Sequence, residues 1–78
     1  QKPKRIAMTK KHVEYITAVI GSISWKTGIS CSKIYRAINN AGLINGYLVK
    51  CFDVLHTFSL EYVAEDILNI LKRRKISL

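Results

Sequence analysis

The chain has 78 residues, 49% of them apolar, and a formal charge of +8. That is too short for two separate cores and too apolar for a disordered chain. Its apolar runs extend over only a few residues, which excludes a membrane-spanning helix. No apolar stretch follows the basic N-terminus, so no secretory leader is expected there, and the expected location is the cytoplasm.

The charge is unevenly distributed. Residues 1–11 carry Lys2, Lys4, Arg5, Lys10 and Lys11, and residues 72–78 carry Lys72, Arg73, Arg74 and Lys75, with no acid in either segment. Between them Lys26, Lys33, Arg36 and Lys50 stand against Glu14, Asp53, Glu61, Glu65 and Asp66, so the middle is nearly neutral. Such terminal runs are either solvated ends or one anion-binding patch for nucleic acid or an acidic protein. In an alternating four-helix arrangement the two ends meet, joining Lys10 and Lys11 to Lys72, Arg73, Arg74 and Lys75. Residues 1–8 read as a basic extension, 9–75 as one helical domain and 76–78 as a tail. Gln1 is not an initiator and Met8 is a candidate start, which makes the first seven residues an appended or upstream piece.

From Thr9, a suitable N-cap, Val13, Ile16, Ile20 and Ile23 recur with helical spacing. Gly28 is the expected stop, because glycine enters the left-handed conformation cheaply. Gly21 and Ser22 either weaken this helix or let another helix approach closely. Tyr15, Val19 and Trp25 lie off the stripe. A second helix starts at Ser30, with Ile29 and Ile34 as a hydrophobic staple and Lys33 where a capping box needs Glu. Its inward face is Ile34, Tyr35 and Ile38, and Gly42 ends it.

The segment Asn45–Thr57 contains seven apolar residues and shows only Lys50 and Asp53 as a polar edge on a helical wheel. A helix apolar on nearly every side belongs inside a protein. The expectation is one helix capped by Asn45, stapled by Ile44 and Val49, and enclosed by the other three. A fourth helix starts at Ser59, stapled by Phe58 and Val63, with Leu60, Val63, Ala64, Ile67, Ile70 and Leu71 inward. Its acids come first and its bases last, the order that the helix dipole favours. The fold class is therefore all-α, a compact bundle of four short helices around a central apolar third. A domain this small has little net stability to spare. The extra apolar surface of Tyr15, Val19, Trp25, Tyr47 and Val54 then calls for a homodimer or a protein partner.

The run Phe52-Asp53-Val54-Leu55-His56-Thr57, followed by Glu61-Tyr62-Val63-Ala64-Glu65-Asp66-Ile67, resembles the signature of a small bacterial family known as domain of unknown function three-seven-nine-one. Ser32-Lys33-Ile34-Tyr35-Arg36 and Leu43 to Tyr47 resemble the same family, and the similarity extends over roughly residues 9–78. Ser59 stands where members tend to have glycine, and Asn45 where they tend to have aspartate. The resemblance implies a small helical bacterial protein without assigned activity. It also implies a gene beside that of an ADP-ribosyltransferase-like protein, and so an accessory or antitoxin-like partner of it.

Few constellations suit catalysis. Asp53 and His56 are neighbours on a helix, and with Glu65 or Asp66 they would form a carboxylate–histidine pair for proton transfer. The plainer alternative has His56 at its helix C-terminus, or bonded to Asp66 to join the last two helices. Asp53, His56, Thr57, Glu65 and Asp66 are therefore read as a structural signature. Cys31 and Cys51 are twenty residues apart and no metal-ligand spacing occurs, so no metal or cofactor is expected. Cys31, near a helix start, is either a reactive thiol or a small apolar filler. The second and third helices, joined by Ala41-Gly42-Leu43-Ile44, resemble a helix-turn-helix pair, but the third offers only Asn45 and Lys50 to base edges. The expected function is a non-catalytic protein-interaction module using Tyr15, Val19, Trp25 and Tyr47. The alternative is a nucleic-acid binder using Lys10, Lys11, Lys72, Arg73, Arg74 and Lys75, or the helix-turn-helix-like pair.

Overall fold

The structure is a computed structural model that describes residues 9–76 and 78; the basic extension of residues 1–8 lies outside them. Every element among the described residues is helical. In order they are α1 (Lys10–Thr27), α2 (Cys31–Asn40), a π-helix (Ile44–Val49), α3 (Phe52–Leu55) and α4 (Leu60–Arg73).

Three of the helix starts follow the sequence expectation. Thr9, Ser30 and Ser59 are N-caps in extended conformation, and their hydroxyls accept from the backbone N–H of His12, Lys33 and Tyr62. At Thr9 the motif is reciprocal, because His12 Nδ1 accepts from the Thr9 N–H at 3.3 Å while Thr9 Oγ1 accepts from the His12 N–H at 3.3 Å. An imidazole nitrogen thus takes the place of the usual Glu or Gln side-chain oxygen. Gly28 closes α1 in the left-handed conformation at φ 75°, and Gly42 follows α2 at φ 76°. The turn between α1 and α2 is fixed by Ser24 Oγ donating to the Ile29 carbonyl at 2.7 Å and by Thr27 Oγ1 accepting from the Ile29 N–H. At the end of α4 a Schellman arrangement forms, with the Ile76 N–H bonded to the Leu71 carbonyl and Lys75 at φ 58°.

The third expected helix is not one helix. Asn45 caps nothing, because the chain is already helical at Leu43, and Asn45 lies exposed inside the π-helix. Ile44 and Val49 are five residues apart and both buried, and a turn widened to i→i+5 bonding brings such a pair to one side. Beyond Lys50 the chain re-forms as the single turn α3, where Leu55 is buried and Val54 is 60% exposed. The centre of the fold is α1, which packs against α4, α2 and the π-helix.

That position explains two further departures. Val19 is fully buried, whereas Val13 is 48% exposed, since three neighbours widen the buried arc of α1 to Ile16, Val19, Ile20 and Ile23. Tyr35, expected inward on α2, is half-exposed beside buried Ile34 and Ile38. Val63, Ala64, Ile67 and Leu71 of α4 complete the core, with Ile70 half-buried and Leu60 at the rim. Gly21 faces open space, with nothing among the described residues within 4 Å of where a Cβ would stand.

Lys26, late in α1, reaches Glu61 (3.6 Å) and Glu65 (3.2 Å), early in α4, and hydrogen bonding to Glu65 raises the lysine's pKa. This surface pair contributes little stability, but it fixes direction. The start of α4 lies beside the end of α1, so the two helices run antiparallel, and Lys72 and Arg73 lie toward the end that carries Lys10 and Lys11.

Candidate interaction site

The residues expected to form a partner surface separate into three environments. Val19 is in the core and takes no part in any surface. Tyr15 and Tyr47 are half-buried, and Trp25 is 90% exposed on the outer side of α1.

Tyr47 projects from the π-helix to α4, where its hydroxyl donates to Asp66 Oδ2. Burial first, and then the Asp66 carboxylate, push the phenol's pKa well above the ordinary tyrosine value; Tyr15 and Cys51 are close enough to add to the effect. Burial likewise raises Tyr15, whose hydroxyl is enclosed without a hydrogen-bond partner among the described residues. The Tyr15 ring instead meets Phe52 edge-on, with centroids 5.4 Å apart. Phe52 also meets His12 edge-on at 4.7 Å and stacks on His56 at 4.8 Å, so aromatic rings tie α3 to the start of α1.

Among the described residues no hydrogen bond or ion pair joins His56 to Asp53, Glu65 or Asp66. His56 Nδ1 lies 2.7 Å from the Phe52 carbonyl, which can only accept, so this nitrogen carries the proton. Thr57 Oγ1 donates to the Val54 carbonyl at 2.6 Å. Both side chains add a second partner to carbonyls at the end of α3 that already accept from the His56 and Thr57 backbone N–H groups, and Asp53 stands in its first turn, at the end that favours an acid. Asp66 bonds Tyr47 rather than His56, and Glu65 bonds Lys26.

Among the basic residues, Lys10, Lys11, Lys72, Arg73, Arg74 and Lys75 are all exposed. Arg74 is partly committed, since its Nη1 donates to the Ala41 carbonyl at 2.9 Å and ties the end of α4 to the end of α2. Cys31 is exposed, Cys51 is partly buried, and both are free thiols. Among the described residues no group of three or more His, Cys, Asp or Glu is placed to hold a metal, and no helix is long and apolar enough to cross a membrane.

The surface also has features that the sequence reading did not assemble. Between α1 and α2 lies a groove of about 620 Å³ lined by Thr17, Ile20, Cys31, Ser32, Tyr35 and Arg36. It adjoins a hollow of about 250 Å³ that shares Thr17, Ile20 and Tyr35 and adds Val13, Ile16 and Ile44. The signal available in the sequence was α2 itself, which carries Lys33 and Arg36 and no acid. At the junction of α3 and α4, Phe58 and Tyr62 pack together at 5.0 Å, 45% and 57% exposed.

These features define a small all-helical domain with a closed aliphatic core, an internal tyrosine–carboxylate contact and exposed aromatic side chains. The chain belongs to the family described as "Protein of unknown function (DUF3791)", whose model matches residues 14–74. No curated protein and no solved structure matches it.

Proposed function

We propose that this protein is a non-catalytic interaction module, a bacterial cytoplasmic subunit that acts as the accessory or antitoxin-like partner in a two-gene system. The observation that carries the reading is Trp25, a large apolar side chain left 90% exposed on a helix whose opposite face is fully packed. Exposed tryptophan and tyrosine are over-represented where proteins bind one another. The engagement of His56 by a backbone carbonyl and of Asp66 by Tyr47 supports a structural use of the signature residues. The test is co-expression with the ADP-ribosyltransferase-like protein that the family resemblance implies as its neighbour. A stoichiometric complex on size exclusion, weakened at least tenfold by Trp25→Ser, is expected. A sedimenting monomer that forms no complex, or a complex indifferent to Trp25 and to the groove, would refute the assignment.

A second reading is supported by the antiparallel course of α1 and α4, which turns Lys10 and Lys11 toward the end carrying Lys72, Arg73, Arg74 and Lys75. In this reading the module binds nucleic acid through phosphate contacts. Affinity for duplex DNA should then fall steeply with salt and weaken when Lys72, Arg73 and Lys75 are changed to Gln. Binding that ignores both changes removes this reading.

A further inference from the structure

We propose that the groove between α1 and α2 is the docking site for an acidic, amphipathic segment of a partner protein, and this rests on the interaction-module reading. Its floor is apolar, made by Ile16, Ile20 and Ile44, with Tyr35 half-exposed between the two hollows. Its rim is cationic, because Arg36 lines the groove and Lys33 stands one turn earlier on the same helix. Neither base takes part in an ion pair among the described residues. None of the five acids lines either hollow. Glu61 and Glu65 hold Lys26, Asp66 holds Tyr47, Asp53 is exposed on α3, and Glu14 is exposed on α1 one turn before Thr17.

An apolar floor beneath unpaired cations selects an occupant with the opposite pattern, apolar residues on one side and carboxylates along the edge. The lining residues run from Val13 to Ile20 on α1 and from Cys31 to Arg36 on α2, a length of ~10 Å, which suits about two turns of an amphipathic helix. A second copy of this chain is a poor occupant, since three of its five acids, Glu61, Glu65 and Asp66, are already engaged by Lys26 and Tyr47. Nucleic acid would set its phosphates over aliphatic side chains.

The probe is a random dodecapeptide library displayed on phage and selected against the intact protein. Enriched peptides should carry apolar residues at i, i+3 and i+4 spacing together with Asp or Glu. A synthetic peptide of that consensus should lose at least tenfold in affinity on Arg36→Glu and on Tyr35→Ala, and weaken with salt. A peptide with its acids changed to Lys should bind Arg36→Glu better than wild type, a rescue that excludes misfolding of the variant. Failure to enrich, a neutral or basic consensus, or binding indifferent to both variants would overturn the proposal. So would self-association abolished by Arg36→Glu, which would make a second copy the occupant. If the co-expressed complex forms but ignores Arg36→Glu, the groove assignment falls while the module reading stands on Trp25. If no complex forms, the module reading falls as well.

Discussion

Replacing Tyr47 with Phe keeps the ring between the π-helix and α4 and removes only the hydroxyl that donates to Asp66. A hydrogen bond to a charged group contributes ~1.5–3 kcal/mol when sheltered, and because both partners here are half-exposed the expected loss is about 1–2 kcal/mol. For a domain of this size, with a urea dependence of about 1 kcal/mol per molar, the unfolding midpoint should fall by roughly 1–2 M. The pH dependence sharpens the test. The folded-state pKa of Tyr47 lies above that of the unfolded chain, so its contribution is intact below about pH 10, the unperturbed value. As the pH rises further the unfolded chain ionises first, and this one group withdraws up to ~1.4 kcal/mol per pH unit. Tyr47→Phe lacks that group, whereas lysine deprotonation acts on both proteins alike and Tyr15, raised by its own burial, is present in both. The advantage of the wild type should therefore be constant from pH 7 to about 9.5 and shrink above pH 10. Urea titrations followed by circular dichroism at each pH measure it. A variant as stable as wild type at pH 7 would show that the contact contributes nothing, and a difference that stays level to pH 11 would show that the fold does not hold the phenol protonated.

Two further outcomes are expected. Lys75 occupies a left-handed position that suits glycine, so Lys75→Gly should add up to about 1 kcal/mol and raise the thermal midpoint by roughly 4–8 °C; a lower midpoint would contradict the Schellman assignment. Val19→Asn should cost ~3–5 kcal/mol, from lost burial and an unpaired amide, and Val13→Asn under about 1 kcal/mol, as read by chemical denaturation. Equal losses at the two positions would mean that the buried arc of α1 is misplaced.

Those two valines mark where the sequence could and could not be read. Helix ends were legible wherever they depend on residues a few positions apart: Thr9, Ser30 and Ser59 as caps and Gly28 as a stop are local chemistry. Burial on α1 was not, because helical periodicity identifies one stripe, while the number of neighbours decides how wide the buried arc becomes. The segment after Gly42 failed for a related reason. Counting its apolar residues on a 3.6-residue wheel presumes the wheel, and the five-residue interval from Ile44 to Val49 departs from it. The Tyr47–Asp66 contact spans 19 positions, a separation at which no local pattern operates. At Thr9 the spacing of a reciprocal cap was present in the sequence, with histidine as its third-position acceptor. Of the surface features, the charge of α2 was legible and the groove beneath it was not, since a hollow belongs to two helices at once.

The exposure of the lone tryptophan has an optical consequence. An indole already surrounded by water changes its surroundings little when the chain unravels, so intrinsic emission is a poor monitor of denaturation for this protein. The same indole responds strongly when something dry settles over it. Its colour therefore serves as a built-in gauge of contact on the outside of α1, readable in solution without any attached dye.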